Sequence, residues 1–450
     1  DLYEFARQVL DRLKYRSGTI KGLTIGNRDV PDQKRRPLYA LVCETLKYAR
    51  ALTTIIERSD LLAQYPVLND SLSLALVLTH DTLFTKKGTV QLPRGLLKEC
   101  MTAARPQLET ALDELVAERN LEKKQQLQEA ADLALNTPPR YVRINLLKTT
   151  MAKVIQKFEE QGFVLNTPPV LLSKLKGQVM QIDEHLSDML VFPVQTDLHD
   201  HPLFVSGDII LQDKASCFPA TLLAPAPHAQ VIDACAAPGN KTSHLCGLMA
   251  NQGTIYAFDK DPRRLRTLEI LTGKAGCRAI RALQGDFMEV PPHSREMAQV
   301  EYILLDPSCS GSGIVNRLDY LVDQFAADED VRQERQRISL AERLANLAEV
   351  QVRLLNHAMT FPGVKRIVYS TCSLHHIENE SVVARVLATN PHFQLVERPR
   401  CLPTWTHRGI SGLPEPTTPR PDAAECVIRC QPDMDHTIGF FAALFERVGE

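Results

Sequence analysis

Apolar positions along the first 136 residues recur at helical spacing. Leu2, Phe5, Ala6, Val9, Leu10 and Leu13 share one face, and residues 38–56 and 72–84 continue the theme between breaks at Pro37, Pro66 and Gly88. A charged, Gln-rich surface helix is expected over 109–135, with Lys34–Arg36 and Lys86–Lys87 in loops that could grip phosphates. Thr137, Pro138 and Pro139 break the pattern. Beyond them 140–145 alternates as a strand, 152–161 reads as a helix, and 163–165, 188–192 and 208–211 as further strands, which together predict a small α+β module. From 212 onward strands (230–234, 254–258, 281–284, 301–305, 366–370) alternate with helices (240–250, 262–275, 339–359, 378–388). That alternation predicts an α/β fold, a doubly wound, Rossmann-like parallel sheet. A Pro-rich loop over 402–421, holding the single tryptophan Trp405, leads to a closing pair of strands at 425–429 and 439–447. The expected organisation is an N-terminal helical domain (1–136), the small α+β module (137–211) and the α/β domain (212–450).

A chain of 450 residues suits two or three domains, and 44% apolar with 24% charged residues is ordinary for a soluble globular protein. No apolar run approaches the roughly 20 residues that span a bilayer, so no membrane segment is expected. The opening residues show no signal-peptide pattern, and the sequence begins at Asp1 rather than Met. Eleven cysteines, an odd number without a Cys-x-x-Cys pair, argue for a reducing compartment and against a disulfide framework or a structural zinc; no metal is expected. Cys43, Cys217, Cys246 and Cys277 read as buried small hydrophobes. The net charge of −2 conceals an asymmetry: residues 1–150 carry 23 Lys+Arg against 18 Asp+Glu, the remainder 29 against 36. A mildly basic front half suits phosphates but does not by itself define a nucleic-acid binder.

Candidate chemistry gathers at strand ends, where open α/β sheets bind their ligands. Two β-type runs each end in a polar loop carrying one cysteine: 302–311 with Cys309 and 368–374 with Cys372. A third, 231–241, turns from strand to helix through Asp-Ala-Cys-Ala-Ala-Pro-Gly, which is neither a dinucleotide fingerprint nor a Walker phosphate loop. Asp233, Asp259, Asp286 and Asp306 end four successive strands, and an acid ending the second suits ribose hydroxyls. Two thiols in one site suit a pyrimidine. A thiolate adding at C6 makes C5 enamine-like and able to take a methyl group, after which the C5 proton must leave to release the enzyme. Two unrelated strand-end cysteines are the alternative.

Asp233–Thr242 (Asp-Ala-Cys-Ala-Ala-Pro-Gly-Asn-Lys-Thr), the Asp-Pro-Ser-Cys-Ser-Gly-Ser-Gly loop and Tyr-Ser-Thr-Cys-Ser together resemble the Nop/Sun family of S-adenosylmethionine-dependent RNA cytosine-C5 methyltransferases. Residues 140–149, 190–199 and 405–409 are similar to the branch of its fifth member, the eukaryotic large-subunit rRNA enzyme. The resemblance implies Cys372 as nucleophile, Cys309 in product release, and Asp306 on the cytosine edge close to the methyl donor. It places the methionine part of S-adenosyl-L-methionine against Cys235, Ala236, Ala237, Pro238, Gly239, Asn240 and Lys241. Asp259 would take the ribose, Arg264 the cofactor's outer face and Asp286 the adenine side. Arg140, Arg143 and Lys148 become phosphate contacts in a family RNA-binding appendage. It further implies large-subunit ribosomal RNA as partner, a monomer, and a nuclear, nucleolar location. Ser308 stands where most of the family has Pro, and Asn240 where most has Gly; Ser308 is expected to loosen the Cys309 loop. The competing reading is a non-catalytic rRNA-binding ribosome-assembly factor that keeps the fold, against which both cysteines and all four strand-end acids argue.

Overall fold

Helical periodicity in the first part of the chain and alternating strands and helices in the rest both carry over into the computed structural model. It describes residues 2–14, 20–69, 71–85, 88–127, 138–194, 196–314, 329–410 (backbone alone as far as 339) and 423–449. Two compact units result, Asp1–Leu135 with Asn316–Gln336 and Asn136–Val315 with Arg337–Glu450.

The first unit is built around the helix Leu72–Phe84, whose apolar residues run right round its circumference. A helix without a polar face must be enclosed, and Ala75, Leu76, Val77 and Leu78 are fully buried against helices Leu2–Lys14, Asp32–Lys47, Ala49–Arg58 and Leu96–Glu118. Ser71 caps it, its hydroxyl accepting from the Leu74 N–H at 3.3 Å. Three expectations need correction. Pro37 lies inside Asp32–Lys47, where an early proline removes one backbone bond without ending the helix. Lys34–Arg36 therefore belong to that helix rather than to a loop, and Lys86–Lys87 lie outside the described residues. The expected surface helix over 109–135 begins instead at Leu96 and ends at Glu118, before Asn120 turns to a left-handed φ of 52°. It buries the stripe Leu108, Ala111, Leu112 and Leu115, and residues 128–135 lie outside the described part.

The second unit holds two sheets. The smaller has the order β2-β3-β4-β1-β5, with β1 Arg140–Ile144, β2 Val164–Leu165, β3 Val179–Ile182, β4 Met189–Phe192 and β5 Ile209–Leu211. Helix Met151–Glu159 seats Val154 and Phe158 on it, and Phe158, Phe163 and Phe192 form an aromatic cluster. Strand β3 is additional to the sequence expectation.

In the larger sheet β6 Gln230–Asp233, β7 Thr254–Asp259, β8 Ile280–Gln284, β9 Tyr302–Leu305 and β10 Arg366–Thr371 are mutually parallel, ordered β10-β9-β6-β7-β8. The expectation of a parallel sheet is corrected at one edge. There β13 Phe440–Arg447 runs antiparallel to β10 and pairs with β11 Phe393–Leu395 and β12 Val427–Cys430. Strand order reverses between β6 and β9, which opens a crevice at their carboxyl ends.

Behind that edge, the buried Glu380 and Arg429 face each other, one of their two contacts being 2.7 Å. Removing one member strands a buried charge, so Glu380→Ala should cost about 3–5 kcal/mol, while Glu380→Leu with Arg429→Met should recover most of it. Denaturant unfolding of the three proteins checks this; equal stability of the single variant and the wild type would contradict it.

Candidate active site

Three loops meet at the switch point. Parallel pairing sets Asp233 beside Leu304 and Leu305 beside Tyr369, so the turns after β6, β9 and β10 emerge level with one another. The Cys309 and Cys372 sulfurs lie 3.2 Å apart. Their hydrogen bond, followed by burial and nearby negative charge, raises the Cys309 thiol pKa, and either sulfur can be the donor in that bond. None of the eleven cysteines forms a disulfide.

Asp306 sits between the loops. Its Oδ2 accepts from Lys241 Nζ at 2.7 Å and its Oδ1 from the Ser370 hydroxyl at 2.6 Å. Burial works against the Lys241 ammonium, but the Asp306 carboxylate outweighs it and the pKa ends up raised. Asp233 is buried at the end of β6, accepts from Thr242 Oγ1 at 2.7 Å, and keeps Oδ1 without a hydrogen-bond partner among the described residues. Burial, partly offset by Thr242, pushes this carboxyl up to about 7. The Cys235 thiol is pushed up to about 12 by burial and by the acids around it.

The turn after β6 is held from the neighbouring strand. Asp259 accepts from the Ala237 N–H at 3.3 Å and the Asp261 N–H at 3.0 Å. Arg264 reaches back to the Ala237 carbonyl at 2.7 Å and lies 3.5 Å from Asp259. Gly239 takes φ 104°, and a Cβ there would press on Leu268 and Thr272, which fixes the tight strand-to-helix turn. Asp286 follows β8, paired with Lys260 at 2.7 Å; that bond overcomes partial burial and lowers its pKa. Carboxylates at Asp233, Asp259 and Asp286 suit a ligand bearing an ammonium group and ribose hydroxyls. The orphaned Asp233 oxygen gives that fit a specific acceptor.

Two features were not foreseen. Glu378, Asn379 and Glu380, at the start of the helix expected over 378–388, are buried. Glu378 accepts from the Ser310 N–H at 2.9 Å and the Ser373 hydroxyl at 2.6 Å, while Asn379 donates to the Ser373 carbonyl at 2.8 Å. The sequence signal was present, three consecutive polar residues just past the second cysteine loop, but nothing local marks them as buried. Secondly, Gly313 donates to the Cys372 carbonyl at 2.9 Å and lies so close to Gly439 that a Cβ on either would collide with the other's backbone.

Arg143 is corrected. It is 2% exposed, and its guanidinium is committed to Gln212 Oε1 (2.8 Å), Ser243 Oγ (2.9 Å) and the Asn240 carbonyl (3.3 Å). It braces the helix Asn240–Leu248 from β1 and is buried away from solvent. Lys148 is exposed and Arg140 half-buried, each donating to one backbone carbonyl, of Ser206 and Thr196 respectively.

A sheet with this switch point, strand-end acids and a facing pair of thiols defines a methyltransferase-type α/β enzyme. Residues 220–446 match the family model described as 16S rRNA methyltransferase RsmB/F. Residues 138–212 and 36–128 match the ferredoxin-like and N-terminal domains of NOL1/NOP2/Sun domain family member 5. The chain is 40% identical over 454 residues to the 28S rRNA (cytosine-C(5))-methyltransferase of Mus musculus, covering 99% of this chain and 91% of that one. It is 38% identical over 448 residues to the 25S rRNA (cytosine-C(5))-methyltransferase rcm1 of Schizosaccharomyces pombe, covering 98% and 90%. A methyltransferase homologue from Pyrococcus horikoshii shares the fold, with a TM-score of 0.52 at 24% identity over 72% of this chain and 92% of its own. The chain belongs to the NOL1/NOP2/Sun family of RNA cytosine-C5 methyltransferases, on the branch of its fifth member.

Asp233 yields a pH test. Its folded carboxyl titrates near 7, whereas the unfolded one titrates near about 4. Between those values the unfolded chain sheds a proton that the folded chain keeps, so this residue's contribution to stability falls as pH rises through the window and levels off above it. Asp233→Asn should remove that contribution. Unfolding at pH steps across the window should show the wild type losing stability relative to the variant; parallel curves would place the titration elsewhere.

Proposed function

We propose that the protein transfers a methyl group from S-adenosyl-L-methionine to C5 of a cytosine in large-subunit ribosomal RNA, acting in the nucleolus. The observation that carries this reading is the pair of thiols 3.2 Å apart beside an Asp306 carboxylate held by Lys241 and Ser370. The 28S and 25S rRNA specificity named for the mouse and fission-yeast relatives supports the substrate class, and their eukaryotic sources support the location.

Cys372 adds as thiolate to C6 of the cytosine, forming a C–S bond and leaving C5 enamine-like. Asp306 accepts from the 4-amino group on the cytosine edge near N3, its carboxylate held in place by Lys241 and Ser370 so that little reorganisation accompanies the addition. S-adenosyl-L-methionine, when bound, supplies an electrophilic methyl group. Asp233 and the residues Cys235, Ala236, Ala237, Pro238, Gly239, Asn240 and Lys241 would hold its amino-acid part, Asp259 its ribose, Arg264 its outer face and Asp286 its adenine side. Once C5 carries the methyl, Cys309 as thiolate takes the C5 proton, the C5–C6 double bond re-forms, and the Cys372 sulfur leaves C6 as thiolate.

Bisulfite sequencing of large-subunit rRNA from cells with and without the protein tests the reading directly: one unconverted cytosine should become convertible on its loss. In vitro, Cys372→Ala should abolish transfer and leave no covalent protein–RNA species. Cys309→Ala should accumulate an adduct that survives denaturing gels. Adduct in Cys372→Ala and none in Cys309→Ala would exchange the two roles.

Lys148 and Arg140 are proposed as RNA-backbone contacts. Replacing both with Ala should weaken binding and flatten the dependence of log K on log salt by about one to two, because each neutralised phosphate releases counterions. An unchanged slope in filter binding would move the contact elsewhere.

A further inference from the structure

We infer that Glu378 is a positioning residue that sets the spacing of the two thiols and thereby governs release of the methylated product; this rests on the reaction proposed above. Its carboxylate contacts the residue that follows each cysteine. Oε1 accepts from the Ser310 N–H at 2.9 Å and Oε2 from the Ser373 hydroxyl at 2.6 Å. Gln351 completes the clamp, its Nε2 donating to Glu378 Oε1 and to the Ser308 carbonyl, both at 3.1 Å. The peptide groups flanking Cys309 are therefore gripped on both sides, and the same carboxylate grips the loop of Cys372. Glu378 and Gln351 are fully buried. The main chain of Glu378 is fixed in turn, its carbonyl accepting from the Tyr369 hydroxyl on β10 at 2.5 Å.

All three groups aimed at the carboxylate are donors, so a carboxylate satisfies them together. A glutamine can keep two at its oxygen and offer its amide to Ser373 Oγ, whose hydroxyl also accepts. Alanine satisfies none and frees both loops. Attack needs Cys372 alone, whereas release needs Cys309 at a fixed distance from the carbon that Cys372 has activated. Loosening the clamp therefore slows release more than attack.

In Glu378→Ala, turnover on rRNA should fall by about 10- to 100-fold, the scale set by misplacing a reacting group by ~1 Å. Calorimetric S-adenosylmethionine binding should stay unchanged, and the covalent fraction on denaturing gels should rise above that of the wild type. Glu378→Gln should recover most of the turnover. A folded Glu378→Ala with wild-type turnover, or with adduct and turnover lost in proportion, overturns the assignment. If Glu378→Ala does not fold, Ser373→Ala decides: a raised adduct-to-product ratio supports the clamp, and a wild-type ratio overturns it.

An RNA-free measurement separates this inference from the proposed function. Hydrogen peroxide oxidises two adjacent thiols to a disulfide with release of two waters, and peptide mapping reads the Cys309–Cys372 bridge. Its formation should be slower in Glu378→Ala than in the wild type. Equal rates overturn the clamp. Slower bridging together with a wild type that methylates no rRNA would uphold the clamp and overturn the reaction.

Discussion

The carboxylate of Asp306 ties together three segments that are far apart in sequence. Lys241 comes from the helix after β6, Ser370 from β10, and Asp306 itself from the end of β9. Removing an ammonium or a carboxylate from water costs several kcal/mol per ion even after relaxation. Attraction between the two at this separation of 2.7 Å returns about 6 kcal/mol at an effective dielectric of 20. The pair is thus near balance, and a hydrogen bond to a charged acceptor, about 1.5–3 kcal/mol, matters. Ser370 provides it. The polar crevice exists because the parallel register brings those donors level with one carboxylate.

That balance shapes the neighbouring groups. With Lys241 engaged by Asp306, the orphaned Asp233 oxygen has no cation of its own, and burial drives its carboxyl up to about 7. The Cys235 thiol, among the same acids, is held protonated. Negative potential and unfilled acceptor capacity on the β6 side face a dithiol on the β9–β10 side. In the proposed reaction a cationic methyl donor is favoured on the first and a nucleophilic sulfur on the second. The two halves of the chemistry are separated by the switch point.

Much of this could be read from residue order because the decisive features are local. A β-type run that stops at an acid or a cysteine announces a strand end, and the strands of the large sheet, apart from the unexpected β11, lie within a residue or two of where periodicity puts them. What escaped depends on distant partners. Glu378 and Asn379 look like ordinary acids and amides at a helix start until Ser310 and Gln351, tens of residues away, enclose them. Arg143 alternates correctly for a strand, but only the packing of helix Asn240–Leu248 on β1 turns its outward-looking position inward. The antiparallel direction of β13 escaped for a related reason: pairing direction leaves no periodic trace, and the strand β3 was missed altogether.

Ser308 shows how the same fold can obtain rigidity by another route. A proline there would restrict the backbone of the Cys309 loop, an effect of about 0.4–1 kcal/mol where the dihedral suits it. The chain instead holds the Ser308 carbonyl with Gln351 and the Ser310 N–H with Glu378. Neutral hydrogen bonds contribute about 0.5–1.5 kcal/mol each and those to a charged acceptor about 1.5–3. The bracing outweighs the missing ring, so the expected looseness is corrected. It acts differently, too. A ring stiffens one residue, whereas these bonds reference the Cys309 loop to the helix that carries Gln351 and, through Glu378, to the Cys372 loop. Gly313 adds a direct link, donating to the Cys372 carbonyl while its missing side chain lets Gly439 close in from the start of β13. Stiffness supplied by neighbours fixes the distance between the two sulfurs, which a proline at position 308 would leave unset.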